Sequence, residues 1–415
     1  MSNDTQPEIR FPGFTEDWEE RKLGDISDVT KLAGFEFTKY VTYSDEGEVI
    51  ALRGLNVKNG NLVLDEVKYI DGSDFSKLNR SRLYKNDILF TYVGTVGELA
   101  VVPEDDKYYL APNVARIRMN EGVNPLFVSK LMNDKTFYNK IILPLIATSS
   151  QPALSMENVR KFTLMMPEIE EQEKIAVFLG SLDNLIFLHQ RKLDLLKETK
   201  KGFLQKMFPK NGAKVPEIRF PGFTEDWEER KLNEGMTEYT DRVYIQDDEI
   251  YKQVSVKNVG EITLRGEQIG SKIGRKRQAK VNLIEHPDTL IFTRQTIEQG
   301  GIGFAPKETD GAIVTENMPT IDVDNDIINC NYLLAYVKTE DWYRKVILKN
   351  IEGGTAQIAI HEDSILSSEV LIPKIEEQQK IGTFFKQIDD TIALHQSKLD
   401  LLKETKKGFL QKMFV

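Results

Sequence analysis

The sequence contains few of the residues that hold a fold together covalently or through a metal. It has one cysteine, Cys330, and four histidines among 415 residues. A single cysteine excludes an internal disulfide framework and a multi-cysteine metal site, and it fits a reducing compartment. Neither His286 nor His361 has an HExxH or Cys/His spacing around it, so we expect no metal site.

Long apolar runs are also missing. No run reaches the ~18 residues that a membrane span requires, and the first residues, MSNDTQPEIRF, lack the apolar segment of a signal peptide. The composition, with 40% hydrophobic residues, can nevertheless supply sizeable cores for two or three domains. We therefore expect a globular cytoplasmic protein that does not contact a membrane.

Net positive charge and catalytic motifs are absent as well. The formal net charge of −10 argues against a protein that coats nucleic acid indiscriminately. Neither Gly94-Thr-Val-Gly97 nor Gly300-Gly-Ile-Gly303 matches a phosphate loop or a dinucleotide-binding fingerprint, so both are predicted to be turns. The Asn/Asp-Pro-Pro-Tyr/Phe motif of amino-methyltransferases does not occur. We therefore expect this chain not to be an enzyme.

What the chain does contain is a duplication. The 17 residues of Lys192–Phe208 recur without a change at Lys398–Phe414, and Pro167–Ile175 recurs with two substitutions at Pro373–Ile381, all at an offset of 206. Each copy predicts a helix of about 40 residues, which is ~60 Å long at ~1.5 Å per residue. The acidic run that begins at Glu168 lies in the first turns, where negative charge stabilises a helix, so we interpret it as capping.

Both predicted helices carry a heptad pattern, in which seam residues step by alternating spacings of four and three. His189 and His395 occupy equivalent seam positions, and we interpret them as setting the register rather than as a catalytic pair. Lys200 and Lys406 are a second polar pair of this kind. The predicted seam comprises Ile175, Leu179, Leu182, Ile186, His189, Leu193, Leu196, Ile381, Phe385, Ile388, Ile392, His395, Leu399 and Leu402.

A second identical pair of segments, Pro7–Leu23 and Pro216–Leu232, is offset by 209. The first helix continues through a short linker into the second of these segments, whereas the second helix ends at Phe414 with only Val415 after it. The parts therefore follow the order of a circle opened at the termini. This order predicts two antiparallel helices that hold the variable regions at opposite ends, with Val415 beside Pro7.

The regions between the repeats share a plan but few letters. Residues 24–166 show short strand-like runs between turn signals, which predict a small mixed sheet, followed by a helix over Leu126–Ile142. Residues 233–372 follow the same plan. The predicted strands are Val49–Leu52, Asn61–Leu64, Ile88–Tyr92, Leu99–Val102 and Val114–Arg118. The predicted domains are 1–166 and 211–372, separated and followed by helical segments at 167–210 and 373–415.

Two basic clusters occur at matching places in the variable regions, each shortly before a strand-like stretch. Such a run can be only a solvated loop, but two at equivalent places favour a contact with phosphate. The clusters are Lys77, Arg80, Arg82 and Lys85 in the first region and Lys272, Arg275, Lys276, Arg277 and Lys280 in the second.

Taken in order, these elements resemble the specificity subunits of type I restriction-modification systems over nearly the whole chain. The resemblance rests on the helix openings at Pro167 and Pro373, on the doubled PEIRFPGF…DW…KL motif, on Asn86-Asp-Ile-Leu…Gly94-Thr-Val-Gly97, and on Thr355-Ala-Gln357. The second half departs from the family at Thr293-Arg-Gln-Thr296, where a Gly-Thr-x-Gly turn is typical. The resemblance therefore implies the Gly-Thr-x-Gly turn in the first half only.

The resemblance implies an α/β (α+β) fold with two pseudo-symmetric target-recognition domains of mixed sheet plus helices, joined by two long antiparallel coiled-coil helices. Each domain would read one half of a bipartite double-stranded DNA site. The helices would space the halves and bind two methyltransferase subunits, directing adenine methylation and restriction. S-adenosylmethionine, ATP and Mg are expected on partner subunits, including restriction (translocase) subunits, and no cofactor is expected on this chain.

If loops enter the major groove, Arg, Asn and Gln are natural bidentate readers of guanine and adenine edges. The DNA-binding candidates are Arg53, Lys58, Lys77, Arg80, Arg82, Lys85, Gln151, Lys272, Arg275, Lys276, Arg277, Arg294, Gln295 and Gln357. The expected base readers among them are Arg53, Gln151, Arg294, Gln295 and Gln357, and the two basic clusters are expected to hold phosphates.

Two rival functions remain open at the level of the sequence. One is a fused restriction-methylation enzyme, against which the missing methylase motif counts. The other is a coiled-coil scaffold that carries two protein-binding domains. DNA binding by the chain, with and without methyltransferase subunits, distinguishes the scaffold from a DNA reader.

Overall fold

The computed structural model contains two compact units. The first comprises Met1–His189 with Lys398–Val415, and the second comprises Gln190–Ser397. The residues that the structure describes are 5–32, 39–147, 151–210, 212–258, 260–351 and 359–415. The first unit therefore combines the beginning of the chain with its last helical segment.

The first unit carries short strands in several small sheets, as the alternation of apolar runs and turns predicts. Four strands form a sheet in the order β2-β10-β7-β8, and three more form a second sheet in the order β6-β3-β9. The five strands predicted between Val49 and Arg118 correspond to β3, β5, β7, β8 and β10. The strands are β1 Glu19–Lys22, β2 Ser27–Lys31, β3 Ile50–Leu52, β4 Val57–Lys58, β5 Asn61–Leu62, β6 Lys68–Tyr69, β7 Ile88–Thr91, β8 Leu99–Val101, β9 Tyr108–Leu110, β10 Val114–Met119 and β11 Thr163–Met166.

The second unit repeats part of this plan and changes the rest. Its sheet β13-β21-β18-β19 has the topology of β2-β10-β7-β8, and the pair β12-β22 matches β1-β11. The remaining sheet has five strands in the order β14-β17-β20-β15-β16, against three in the first unit. The strands are β12 Glu228–Lys231, β13 Met236–Tyr239, β14 Asp241–Tyr244, β15 Ile250–Val256, β16 Ile262–Ile269, β17 Arg277–Lys280, β18 Thr289–Phe292, β19 Ile302–Phe304, β20 Ile313–Val314, β21 Thr320–Val323 and β22 Glu369–Ile372.

Short helices follow the sheets at matching places in both units. The prediction of one continuous helix over Leu126–Ile142 was wrong, because the helix is interrupted at Asn133 and Asp134. The Asp134 carboxylate accepts a hydrogen bond from the backbone N–H of Thr136 at 2.6 Å and so starts a new helix. The short α-helices are Leu23–Ile26, Pro125–Met132, Lys135–Phe137, Met156–Arg160, Cys330–Tyr336, Glu340–Trp342 and Glu362–Leu366, with π-helical turns at Tyr138–Ile142 and Tyr343–Ile347.

The predicted long helices are confirmed as single elements, Ile169–Lys206 and Ile375–Met413, of 38 and 39 residues. They are called the first and second long helix below. In the first unit, Phe178 packs edge-on against Phe409 with ring centroids 4.8 Å apart. In the second unit, Phe203 packs in the same way against Phe384 at 5.0 Å. In each unit the beginning of one helix thus meets the end of the other, which confirms an antiparallel pairing there.

The seam of the helix pair is apolar apart from a few polar positions. All the predicted seam residues are buried or half-buried, and Ile175, Leu179, Leu193, Ile381 and Leu399 are at most 1% exposed. The seam lysines have defined partners. Lys200 Nζ lies 2.5 Å from Asp389, and Lys406 Nζ lies 2.5 Å from Asp183. The same lysine–aspartate contact therefore occurs once in each unit.

The repeated Pro-Glu-Ile-Arg-Phe segments anchor each unit to its helices. In the first unit, the Ile9 N–H donates to the Lys412 carbonyl at 2.9 Å, and the ring centroids of Trp18 and Phe414 lie 6.5 Å apart. These contacts confirm that the end of the second long helix lies beside the first segment. In the second unit, the Ile218 N–H donates to the Lys206 carbonyl at 2.9 Å.

The helix openings do more than cap a helix, so the interpretation of their acidic residues was incomplete. Arg10 donates to the two carboxylate oxygens of Glu171 at 2.7 and 2.8 Å, and the Glu171 side chain is fully buried. The Gln172 side chain accepts from the Asn124 N–H at 2.9 Å and so fixes the start of the helix at Pro125. The repeated Glu-Gln pair is therefore a tertiary junction within its unit.

The second unit contains the same junction. Arg219 donates to both oxygens of Glu377 at 2.7 Å, and Gln378 accepts from the Asn329 N–H at 2.9 Å. Because Asn329 caps the helix Cys330–Tyr336, the motif fixes equivalent helices in both units. This shared function explains why the letters recur.

Candidate nucleic-acid interface

The first basic cluster lies on an exposed connection that leads into β7. Lys77, Arg80 and Lys85 are exposed, and Arg82 is half-buried. Arg82 forms an ion pair with Asp106, and its guanidinium lies 5.4 Å from the centre of the Tyr84 ring. The hydrogen bond to Asp106 raises the pKa of Arg82. Lys77 and Lys85 are thus better placed than Arg82 to meet an anionic partner.

Arg53 and Lys58 precede this cluster in the sequence and flank the segment that leads into β4, and Arg53 has a structural partner. Its Nη2 donates to the Glu66 carbonyl at 2.9 Å, and its backbone N–H donates to the Asn56 side chain at 3.1 Å. Arg53 therefore holds the segment of residues 54–66, which contains β4 and β5, in place. Lys58, in β4, is exposed.

The glycine turn of the first unit is confirmed. Gly94 and Gly97 have φ values of 82° and 98°, which residues with a side chain rarely adopt. A Cβ on Gly97 would lie 2.6 Å from the Tyr138 ring. Glycine is therefore required at Gly97 by backbone conformation and by space.

The second basic cluster surrounds the start of β17. Lys276 pairs with Asp247 and donates to the Gly270 carbonyl at 2.8 Å, and Arg275 pairs with Glu316. Lys272 and Arg277 are exposed. The cluster thus divides into residues that hold the loop and residues that face solvent.

Arg294 and Gln295 lie in the turn that replaces the family's glycine turn. Arg294 donates to both oxygens of Glu362, at 2.8 and 2.5 Å, and their side chains are 20% and 12% exposed. Burial raises the pKa of Glu362, but the hydrogen bonds and charge of Arg294, together with a backbone hydrogen bond, outweigh that effect and hold the pKa below its ordinary value. Arg294 is thus committed to a partner 68 residues away. Gln295 is exposed beside it.

Of the two candidate glutamines near the ends of the variable regions, the structure describes Gln151 but not Gln357. Gln151 is exposed in the first unit. Gln357 lies outside the described residues, as does the Thr355-Ala-Gln357 element that contains it.

The structure brings Arg275, Arg277 and Arg294 together at one cleft of about 490 Å³. Arg242, which the sequence analysis missed, is the fourth arginine at this cleft. It stands alone in the sequence and reaches the others because β14 pairs with β17, so that Arg242 lies opposite Ala279. Only a prediction of this strand pairing would have found it.

The described residues form neither a metal site nor a membrane-spanning helix. Among the described residues, no three His, Cys, Asp or Glu side chains are placed to hold a metal ion. No helix within the described ranges has the length and apolar character needed to cross a membrane.

Comparison with known proteins gives a consistent assignment. The model of the type I restriction modification DNA specificity domain matches residues 15–198 and again 213–404. Two type I restriction enzyme specificity subunits of Methanocaldococcus jannaschii, MjaX and MjaVIII, are each 23% identical to this chain. The alignments cover 95% and 97% of this chain and 92% of each relative.

The fold is shared with a solved protein. The crystal structure of the type I restriction-modification S subunit from M. genitalium superposes with a TM-score of 0.62 at 12% identity, over 99% of both chains. The two family matches leave little of the sequence outside them. This chain belongs to the type I restriction-modification DNA specificity subunit family.

Proposed function

We propose that this chain is the DNA-recognition subunit of a type I restriction-modification complex and performs no catalysis itself. Each variable region reads one half of a bipartite double-stranded DNA sequence. The observation that carries this proposal is the contrast between a repeated frame and different outer sheets. The frame includes the junctions at Glu171 and Glu377, whereas the outer sheets are β6-β3-β9 and β14-β17-β20-β15-β16.

Such a contrast fits two readers of different sequences. The family match applies to both halves, so both carry the same kind of domain. Base edges in the major groove are distinguished by side-chain donors and acceptors, and a change of outer sheet changes which side chains are presented. The shared frame keeps each reader attached to the helices in the same way.

Exchange of one variable region tests this proposal. Residues 24–166 are replaced by the equivalent region of a relative, and methylated adenines are mapped in DNA from cells that also make the methyltransferase subunits. One half of the modified sequence should change and the other should persist. The matched exchange of residues 233–372 should change the opposite half. Changes in both halves after either exchange would contradict independent reading.

We further propose that two methyltransferase subunits dock on the long helices. Large exposed leucines recur there at the offset of 206. Leu188 and Leu401, 50% and 68% exposed, belong to the first unit, and Leu195 and Leu394, 60% and 53% exposed, belong to the second. Exposed apolar groups at repeated places favour an interaction surface.

The heptad pattern and the helix register place these leucines. All four occupy the same heptad position, two residues after a buried or half-buried seam residue, so within each unit the two leucines are on the same side of the antiparallel helix pair. Asp183 meets Lys406 and Asp389 meets Lys200, so Leu188 is level with Leu401 and Leu195 with Leu394. Each unit thus offers an equivalent surface, as two copies of one partner require.

Paired substitutions test the docking surfaces. Leu188→Ser with Leu401→Ser should reduce the number of bound methyltransferase subunits from two to one, measured by the mass of the complex in solution. Leu195→Ser with Leu394→Ser should do the same. Val177→Ser is the control, because Val177 is 70% exposed but the second helix has Thr383 at the equivalent position. Two bound subunits in both paired variants would contradict these surfaces.

The remaining partners belong to the same proposal. Restriction subunits with translocase activity join the complex in the cytoplasm, where DNA and the methyltransferase subunits are found, and S-adenosylmethionine, ATP and Mg²⁺ bind to the partners. Equilibrium dialysis with labelled S-adenosylmethionine should show no binding to the isolated chain. A mobility shift of DNA should appear with the methyltransferase subunits, and its absence would favour the rival protein-binding scaffold.

A further inference from the structure

The outer sheet of the second unit carries two arginines on adjacent antiparallel strands. Arg242 in β14 lies opposite Ala279 in β17, and Tyr244 lies opposite Arg277. Residues that face each other across a ladder, and residues two apart on one strand, project from the same face of a sheet. Arg242 and Arg277 are therefore diagonal neighbours on one face, with their Cβ atoms within ~8 Å.

This face opens into the cleft of about 490 Å³ described above. Arg275 and Arg294 contribute from neighbouring segments, and Tyr239 and Met318 supply apolar contact. The cleft is larger than one small anion needs and can admit a stretch of sugar–phosphate backbone. Its arginines belong to one unit, so their arrangement depends only on the fold of that unit.

The four arginines differ in their partners. Arg275 is paired with Glu316 and Arg294 with Glu362. Arg242 and Arg277 are exposed, and within the described ranges neither forms an ion pair or a side-chain hydrogen bond. Like charges at neighbouring positions of a sheet repel each other. An anionic ligand between them would remove this repulsion.

We propose that the cleft binds phosphate groups of the DNA backbone at the second half-site, through Arg242 and Arg277. The proposal rests on the proposed function, because it assumes that the second unit binds DNA. The planar guanidinium fork matches phosphate geometry bidentately, so arginine rather than lysine suits this role. Arg275 and Arg294 also line the cleft, but the carboxylates of Glu316 and Glu362 offset their charges. Arg242 and Arg277 therefore supply its unpaired positive charge.

Salt dependence is the first measurement. The complex of the full chain with methyltransferase subunits is titrated with DNA that carries the mapped site, between 50 and 200 mM salt. Each phosphate contact contributes about 0.9 to the slope of log affinity against log salt. Arg242→Ala and Arg277→Ala should therefore each reduce the loss of affinity over this range by about 3.5-fold, and the double variant by about 12-fold.

Two further variants separate charge from folding. Arg344→Ala removes an exposed arginine of the same unit that lies outside the cleft lining, so it should leave the salt slope unchanged. Arg242→Lys with Arg277→Lys keeps both charges and should restore most of the slope. A double alanine variant with the wild-type slope would overturn the proposal.

Neutral phosphates locate the contact on the DNA. A methylphosphonate within the second half-site should weaken binding by the wild-type complex but should cost the double alanine variant nothing more. This non-additivity identifies groups that interact directly. In the first half-site, the same replacement should have equal effects on both proteins. Equal costs at every position of the second half-site would also overturn the proposal.

Inorganic phosphate distinguishes a small anion from DNA. If phosphate alone raises the melting temperature of the wild type but not of the double variant, while the DNA salt slopes agree, the cleft holds a small anion and the proposal for DNA fails. Absence of any specific DNA binding by the wild-type complex would instead remove the proposed function. The two failures are therefore distinguishable.

Discussion

Loss of Arg10 should destabilise the first unit strongly. Its guanidinium makes two hydrogen bonds, of 2.7 and 2.8 Å, to the carboxylate of Glu171, whose side chain is fully buried. Arg10→Ala leaves that carboxylate buried without its counter-charge, which typically costs about 3–5 kcal/mol. For a unit of about 200 residues, each kcal/mol lowers the melting temperature by roughly 2–4 °C, so we expect a decrease of roughly 6–20 °C in that unit.

Arg219→Ala is the matched perturbation, because Arg219 makes the same contact with Glu377 in the second unit. Hydrogen exchange measured by mass spectrometry should show faster exchange in the first unit for Arg10→Ala and in the second for Arg219→Ala. Chemical denaturation gives the free energy of unfolding for each variant. A loss below about 1 kcal/mol in both, or faster exchange in the wrong unit, would refute the reasoning.

A double substitution tests the cause. Breaking one side of a buried ion pair is costly, but replacing both partners by apolar residues is often nearly neutral. Arg10→Met with Glu171→Leu should therefore recover most of the stability lost in Arg10→Ala. If the double variant is no more stable than the single one, the loss comes from packing of the Arg10 stem rather than from the unpaired carboxylate.

Three further outcomes follow from the helices. Four residues inserted within 199–202 should widen the gap between half-sites in methylation maps by nearly two base pairs. They add ~6 Å of helix, and each base pair spans ~3.4 Å. An unchanged gap would show that the helices do not set it. A circular permutant joins Val415 to Pro7 with a copy of the linker at 209–215 and opens the chain within residues 210–214. It should direct methylation to the same DNA sequence, because the joined ends already lie together. Loss of solubility would contradict this. Burial raises the pKa of Asp183, but the hydrogen bonds and charges of Lys130 and Lys406 outweigh it and hold the pKa below its ordinary value. The stabilisation that this carboxylate provides is therefore present above that ordinary value and is lost as the pH falls through the lowered pKa. Asp183→Asn should lower the free energy of unfolding, measured by urea denaturation at pH 7, and should flatten the dependence of that free energy on pH below about pH 4. An unchanged pH dependence would exclude this carboxylate as the cause of the acid-induced loss of stability.

Local patterns predicted the parts of the fold that depend on neighbouring residues. The heptad spacing identified both long helices because a seam repeats every seven residues. Short apolar runs between turn residues identified strands such as β3, β7 and β10. The glycines at Gly94 and Gly97 indicated a turn, and their positive φ values give the reason.

Contacts between residues distant in the sequence could not be predicted in this way. The hydrogen-bond partner of Arg294 is Glu362, which lies 68 residues later. Arg242 was overlooked because it has no basic neighbour in the sequence. It meets the other arginines only because β14 pairs with β17. Glu171 was interpreted as a helix cap, since its partner Arg10 lies 161 residues earlier. In each case the side chain's use depends on tertiary pairing, which composition and periodicity do not specify.

The division of the first unit between both parts of the sequence affects how a growing chain folds. Its core includes Met413, which is 2% exposed, and Trp18 and Phe127 both contact Phe414. At ~5–20 residues per second, the ribosome needs about 10–40 s to pass from Phe208 to Phe414. During this interval Trp18 and Phe127 lack their aromatic partner, while the finished segment Lys192–Phe208 has the same sequence as the missing one. A neighbouring nascent chain can offer that segment, so the duplication that builds two equal frames also creates a competitor for the unfinished one.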